Sequence, residues 1–179
     1  MALSDLALFH IARPHAERLA NQSGEAAHLC AFDGSNVVSI DRREMQPARN
    51  EQVTIEREPP HCTGTGKAIL ALLPEDVVEQ IIAGGLERFT ANTITDPDAL
   101  RAELALVRER GYALDLEERQ YGIRCVAAPI RDAGGADRCG DAADAVLARF
   151  PEGRIATLAE LVTATARAIS EALAARPAG

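Results

Sequence analysis

Residues 4–22 place Leu8, Ile11, His15 and Leu19 at three- and four-residue steps, the spacing of one face of a helix. Pro14 falls inside this stripe and predicts a kink, or a fresh start with proline in a first turn. Ser23-Gly24 ends it. From Ala26 to Asp41 the period shortens. His28-Leu29-Cys30-Ala31-Phe32 and Val37-Val38-Ser39-Ile40 flank Asp33-Gly34 as the arms of a β-hairpin around a tight turn. A polar stretch over 41–50 precedes Glu51-Gln52-Val53-Thr54-Ile55-Glu56, which alternates like a half-buried strand until Pro59-Pro60 stops it.

Beyond the prolines, the Gly/Thr-rich run His61-Cys62-Thr63-Gly64-Thr65-Gly66-Lys67 leads into an apolar helix over 68–73. Pro74-Glu75-Asp76 opens a second helix with acids in its first turn, where the helix dipole favours them, and Gly84-Gly85 closes it. Thr95-Asp96-Pro97 caps a third, with Leu100, Leu104 and Val107 on one face and Gly111 at its end. Tyr112 to Asp115 reads as a short strand, and Ile123 to Ile130 as a longer, central one. A last helix runs from about Arg154 to Ala175. Strands and helices interleave without regular βαβ repetition, which predicts the α+β class.

Charge narrows the function. The 179 residues carry 27 acids against 19 lysines and arginines, a formal charge of −8, so the chain as a whole has no electrostatic footprint for nucleic acid. With four Phe, two Tyr and no Trp, stacking platforms for bases are not expected either. No apolar run approaches the roughly 20 residues of a membrane span, and no signal peptide pattern opens the chain. The cysteines Cys30, Cys62, Cys125 and Cys139 are irregularly spaced and read as reduced thiols in a cytoplasmic setting.

The chemistry-bearing segments are individually weak. Gly64-Thr65-Gly66-Lys67 at a helix start offers backbone N–H groups to a carboxylate or phosphate, although the P-loop spacing fails and the alternative is an ordinary capped helix. His61-Cys62 with Cys125 suggests a nucleophile–base pair, against the commoner role of cysteine as a buried apolar filler. His28 and Cys30 with His61 and Cys62 match no standard zinc spacing. Asp115-Leu116-Glu117-Glu118-Arg119 reads either as a solvated acidic loop or as a carboxylate that orients a ligand.

Taken in order, these motifs resemble a known family. His61 to Ala68, Thr93-Ile94-Thr95-Asp96-Pro97, Arg110 to Glu118 and Gly122 to Pro129 look like the C-terminal effector-binding domain of IclR-type bacterial transcription regulators, as do Ala12 to Ala20 and the hairpin at Asp33-Gly34. The resemblance implies a GAF/PAS-like antiparallel sheet flanked by helices. It divides the chain into connecting or dimerisation helices over 1–22 and an effector-binding domain over 23–179. It implies a small carboxylate effector, such as a keto acid or an aromatic acid. The matching pocket positions are Gly64, Thr65 and Gly66, whose amides would face the carboxylate, with Asp115 and Cys125. No catalytic residue, metal or cofactor is implied. The expected partners are the effector and further copies of the chain, as homodimer or homotetramer, with no membrane contact. DNA is expected to be met only through a winged-helix domain that this chain lacks.

One stretch departs from the family pattern. Residues 136–146 carry three aspartates and no β-branched residue before Val146, the composition of a poor central strand. A local rearrangement or a misread stretch would each produce it, and as written residues 136–144 predict an exposed loop or helix that leaves a gap in the sheet. The rival to a sensor is a cysteine-dependent or thiol-redox enzyme on the same scaffold, for which no third orienting group is identifiable.

Overall fold

The computed structural model describes residues 3–43, 57–131, 144–149 and 154–175; the strand expected over 51–56 lies outside them, as do residues 136–143. Helix α1 (Leu3–Ser23) buries Leu8, Ala12, Ala16, Leu19 and Ala20. This face is rotated from the expected stripe towards alanines, which let the helix lie close to its neighbours. The helix runs through Pro14, so of the two expectations the fresh start is not what happens. The proline lies on the exposed side, where water can serve the carbonyl that its missing N–H leaves unpaired.

Among the described residues, six strands form one antiparallel sheet in the order β3-β2-β1-β6-β5-β4. They are β1 (Ala27–Phe32), β2 (Val37–Arg43), β3 (Arg57–Glu58), β4 (Ala113–Leu116), β5 (Arg124–Ile130) and β6 (Asp144–Arg149). The hairpin β1–β2 turns as expected, with Asp33 Oδ1 accepting the amides of Ser35 and Asn36 at 3.0 and 2.8 Å.

The expected gap is absent. Asp144–Arg149 fills the middle of the sheet as β6, paired to β1 on one side and β5 on the other. The acid-rich residues before it hid the strand in the sequence. The apolar run Ala145-Val146-Leu147-Ala148 is long enough to pair by itself once two neighbouring strands offer their ladders.

Helices cover both faces. α1 and α5 (Ile155–Ala174) pack on one, where Leu8, Leu19, Leu29, Val126, Ala128, Ile130, Leu158, Val162 and Ile169 form a core. On the other lie α2 (Gly64–Leu70), α3 (Glu75–Ala83) and α4 (Pro97–Arg110), with a second core that includes Phe32, Val37, Ile69, Leu100, Leu104, Val107, Cys125 and Ala127. The alternation along β5 therefore serves two cores, sending Cys125 and Ala127 one way and Val126, Ala128 and Ile130 the other.

A bulge decides what the second face presents. Leu29 pairs with Asp41 but Cys30 pairs with Ser39, so Ile40 is the extra residue and joins the α1/α5 core. The side-chain parity of β2 flips there, and Arg42 comes to share a face with Ser39.

A close backbone approach seats α2. A Cβ added at Gly66 would lie 2.1 Å from the Pro60 carbonyl oxygen, so only glycine lets the three-residue turn Pro60–Cys62 cross over the helix start. Gly66→Ala should destabilise the fold by about 1–3 kcal/mol or more. A denaturant midpoint equal to wild type would refute the close approach.

Candidate functional site

Thr63 caps α2. Its Oγ1 accepts the Gly66 amide at 3.1 Å, and its carbonyl accepts the Lys67 amide at 3.0 Å. The cap thus spends the Gly66 N–H, while Gly64 has a different task. A Cβ there would sit 2.9 Å from Cys125 Sγ and 3.5 Å from the Asp115 backbone nitrogen, so the glycine lets α2 rest directly on β4 and β5. Between them Thr65 is buried at the rim of a cavity of about 510 Å³, which Thr63, Asp115 and Cys125 also line.

Asp115 and Cys125 are directly opposite each other across the β4–β5 ladder. Asp115 Oδ1 accepts the Glu118 amide at 2.8 Å. Burial pushes its carboxyl up to about 7, against the pull of that amide and with the Glu118 charge adding to the rise. Burial likewise raises the Cys125 thiol, helped by the Asp115 charge, although the Gly64 amide favours the thiolate. Cys62 is pushed up to about 12 by burial. Both sulfurs are therefore held as thiols, the form that does not attack.

The turn after β4 is built by buried polar groups. Glu117 adopts φ 65°, an uncommon left-handed conformation for a residue with a side chain. Its carbonyl accepts from Thr90 Oγ1 at 2.7 Å, and the next carbonyl, of Glu118, accepts from Thr93 Oγ1 at 2.6 Å. The reversal turns the Glu118 side chain inward to Lys67 Nζ, which donates to Oε1. Lys67 is 1% exposed and also has Glu103 at 3.8 Å, itself bonded to Arg110 at 2.7 Å. Burial raises the Glu118 carboxyl, with the Lys67 charge opposing. The acidic cluster read as a possible solvated loop is thus buried at Asp115 and Glu118.

The structure gathers Thr65, Asp115 and Cys125 on the cavity. Gly64 and Gly66 are not among its lining residues, being packed against Cys125 and Pro60. His61 is drawn elsewhere, with Nε2 2.9 Å from the Glu87 carbonyl and its ring beside Phe89. Cys62 Sγ donates to the Pro59 carbonyl at 3.6 Å. His61 and Cys62 do not line the cavity, and among the described residues no group of three His, Cys, Asp or Glu is placed to hold a metal ion. Sequence reasoning missed Arg42, Arg57, Glu58 and Arg119, which also line the cavity. The β2 bulge brings Arg42, the pairing of β3 with β2 brings Arg57 and Glu58, and the turn closed by remote threonines brings Arg119; none of these has a local signature.

Residues 1–171 match the family model described as the bacterial transcriptional regulator IclR C-terminal domain. The HTH-type transcriptional regulator BhcR of Paracoccus denitrificans is 38% identical over 167 residues, 92% of this chain and 60% of that protein. The C-terminal domain of the E. coli transcriptional regulator KdgR superposes with a TM-score of 0.80 at 31% identity, covering 93% of this chain and 98% of that one. An IclR homologue from Microbacterium hydrocarbonoxydans, solved in complex with 4-hydroxybenzoate, gives 0.83 at 26% identity, covering 96% and 70%. This chain spans about three-fifths of the length of the curated relatives it matches.

The raised Asp115 carboxyl has a consequence for stability. Between its ordinary value of 3.8 and about 7, the folded chain keeps a proton there that the unfolded chain releases. The stability linked to this group is complete below the ordinary value and lost as pH rises through about 7. Asp115→Asn keeps the acceptor for the Glu118 amide and should remove this share of the slope, so its thermal midpoint gains on wild type as pH rises through that window. Parallel midpoints would refute a buried, proton-holding carboxyl.

Proposed function

The chain belongs to the IclR family of bacterial transcriptional regulators, and from that premise we propose that its cavity is the receptor for a small carboxylate effector. The family's members are regulators and not enzymes, and the protonated thiols give no support to a cysteine nucleophile. The observation that carries the reading is the meeting of Thr65, Asp115 and Cys125 on one cavity. A carboxylate seated there meets the Thr63–Thr65 turn on one side. On the other it meets Asp115, which when protonated donates a hydrogen bond where its anion would repel. A structural relative's complex with an aromatic carboxylate supports the ligand class. Gly64 and Gly66 then serve by letting the turn approach, with the Gly64 amide directed to Cys125.

In the full-length regulator, operator contact would fall to a winged-helix region outside this domain, consistent with the −8 charge here. No helix among the described residues is long and apolar enough to cross a membrane. We also assign the chain to a homodimer or homotetramer. Sedimentation equilibrium at high micromolar concentration should show at least a dimer, and a lone monomer species would overturn this.

Thermal-shift measurements with pyruvate, glyoxylate and 4-hydroxybenzoate test the receptor directly. A ligand at a hundred times its Kd should add about 2.7 kcal/mol of stability. The shift should strengthen as pH falls through about 7, where Asp115 takes up its proton. Thr65→Phe should fold and lose the shift. An undiminished shift in Thr65→Phe would place the ligand elsewhere.

A further inference from the structure

The cavity is larger than a two- or three-carbon acid needs, and its charge is uneven. At about 510 Å³ it lies within the range of sites that enclose ligands of many atoms. Its lining carries three arginines, Arg42, Arg57 and Arg119, against Glu58 and Asp115, with His28 as a further polar group. A predominantly cationic lining inside a chain of charge −8 is a local inversion that attracts anions.

The charges are also separated in space. Asp115 and Cys125 face each other on β4 and β5, whereas His28 and Arg42 face each other on β1 and β2. β6 lies between β1 and β5, so the strands of His28 and Cys125 are two spacings apart, about 10 Å, and those of Arg42 and Asp115 four, about 19 Å, a gap that the long arginine side chain narrows. The bulge at Ile40 is what brings Arg42 onto the cavity face. Arg119, from the turn after β4, also lines the cavity. Its guanidinium stacks 4.2 Å from the Phe89 ring centroid, and its buried Nε makes no hydrogen bond among the described residues, with Glu58 at 3.9 Å. Arg57 stands at the rim, mostly exposed and near Asp33.

We propose that the effector carries two anionic ends, one seated among Thr65, Asp115 and Cys125 and the other reaching the His28–Arg42 pair on the far strands. The claim rests on the carboxylate reading and adds the second anion. A monocarboxylate fills one pole and has no second charge for the other. A dicarboxylate of matching length meets both, and the fixed fork of Arg42 suits a planar carboxylate.

Calorimetric titration of the chain with succinate, adipate, suberate and hexanoate tests this. Adipate or suberate should bind at least about tenfold more tightly than hexanoate, with the advantage shrinking as salt is added. Arg42→Gln should reduce the dicarboxylates to the hexanoate level, and Arg42→Lys should restore part of the difference. If Arg42→Gln fails to fold, the ratio in the unsubstituted chain and its salt dependence decide the matter. Equal affinity for hexanoate and the dicarboxylates overturns the second anion site while the carboxylate reading survives. If Thr65→Phe binds every acid as well as wild type, the first pole falls as well.

Discussion

A lysine with almost no exposure holds the site together. Lys67 sits in α2, and its ammonium meets Glu118 in the turn after β4, with Glu103 of α4 nearby. Two charges removed from water must find each other, because an unpaired one costs several kcal/mol. That requirement fixes the position of α2 relative to the β4–β5 edge. Glu118 in turn donates its amide to Asp115 and offers its carbonyl to Thr93, so the same residue sets the carboxyl that faces the cavity. The left-handed backbone at Glu117 is tolerated because these bonds over-determine it.

Glycine supplies the complementary constraint. The ion pair draws α2 toward the sheet, and only residues without a Cβ let it arrive, Gly66 beneath Pro60 and Gly64 against Cys125. The result is a polar cavity lined by Thr63, Thr65, Asp115 and Cys125 together with three arginines. In such a setting the thiols stay protonated and Asp115 titrates near neutrality, properties suited to recognition and poorly suited to nucleophilic chemistry.

The sheet shows how tertiary pairing overrides composition. Three aspartates close together argued against a strand in this part of the chain, yet β6 begins at Asp144 and takes the central position. Two open strand edges, on β1 and β5, supply what the local sequence withholds. The same holds for Pro14, whose place on the solvent face lets α1 continue.

Much of this was written in the chain. The period of the apolar residues located the hairpin and α3 to α5 to within a residue or two, because capping and burial patterns act locally; Asp96 accepts the Ala99 amide and Gly111 closes α4 at φ 82°. The motifs around Gly64, Asp115 and Cys125 identified the family and three of the residues on the cavity. Tertiary structure alone decided the rest. The bulge that re-aims Arg42, the buried partner of Lys67 and the reach of Arg119 over Phe89 depend on residues far apart in sequence. A pairing register or a desolvated charge has no local pattern, since its energy exists only when both partners are in place.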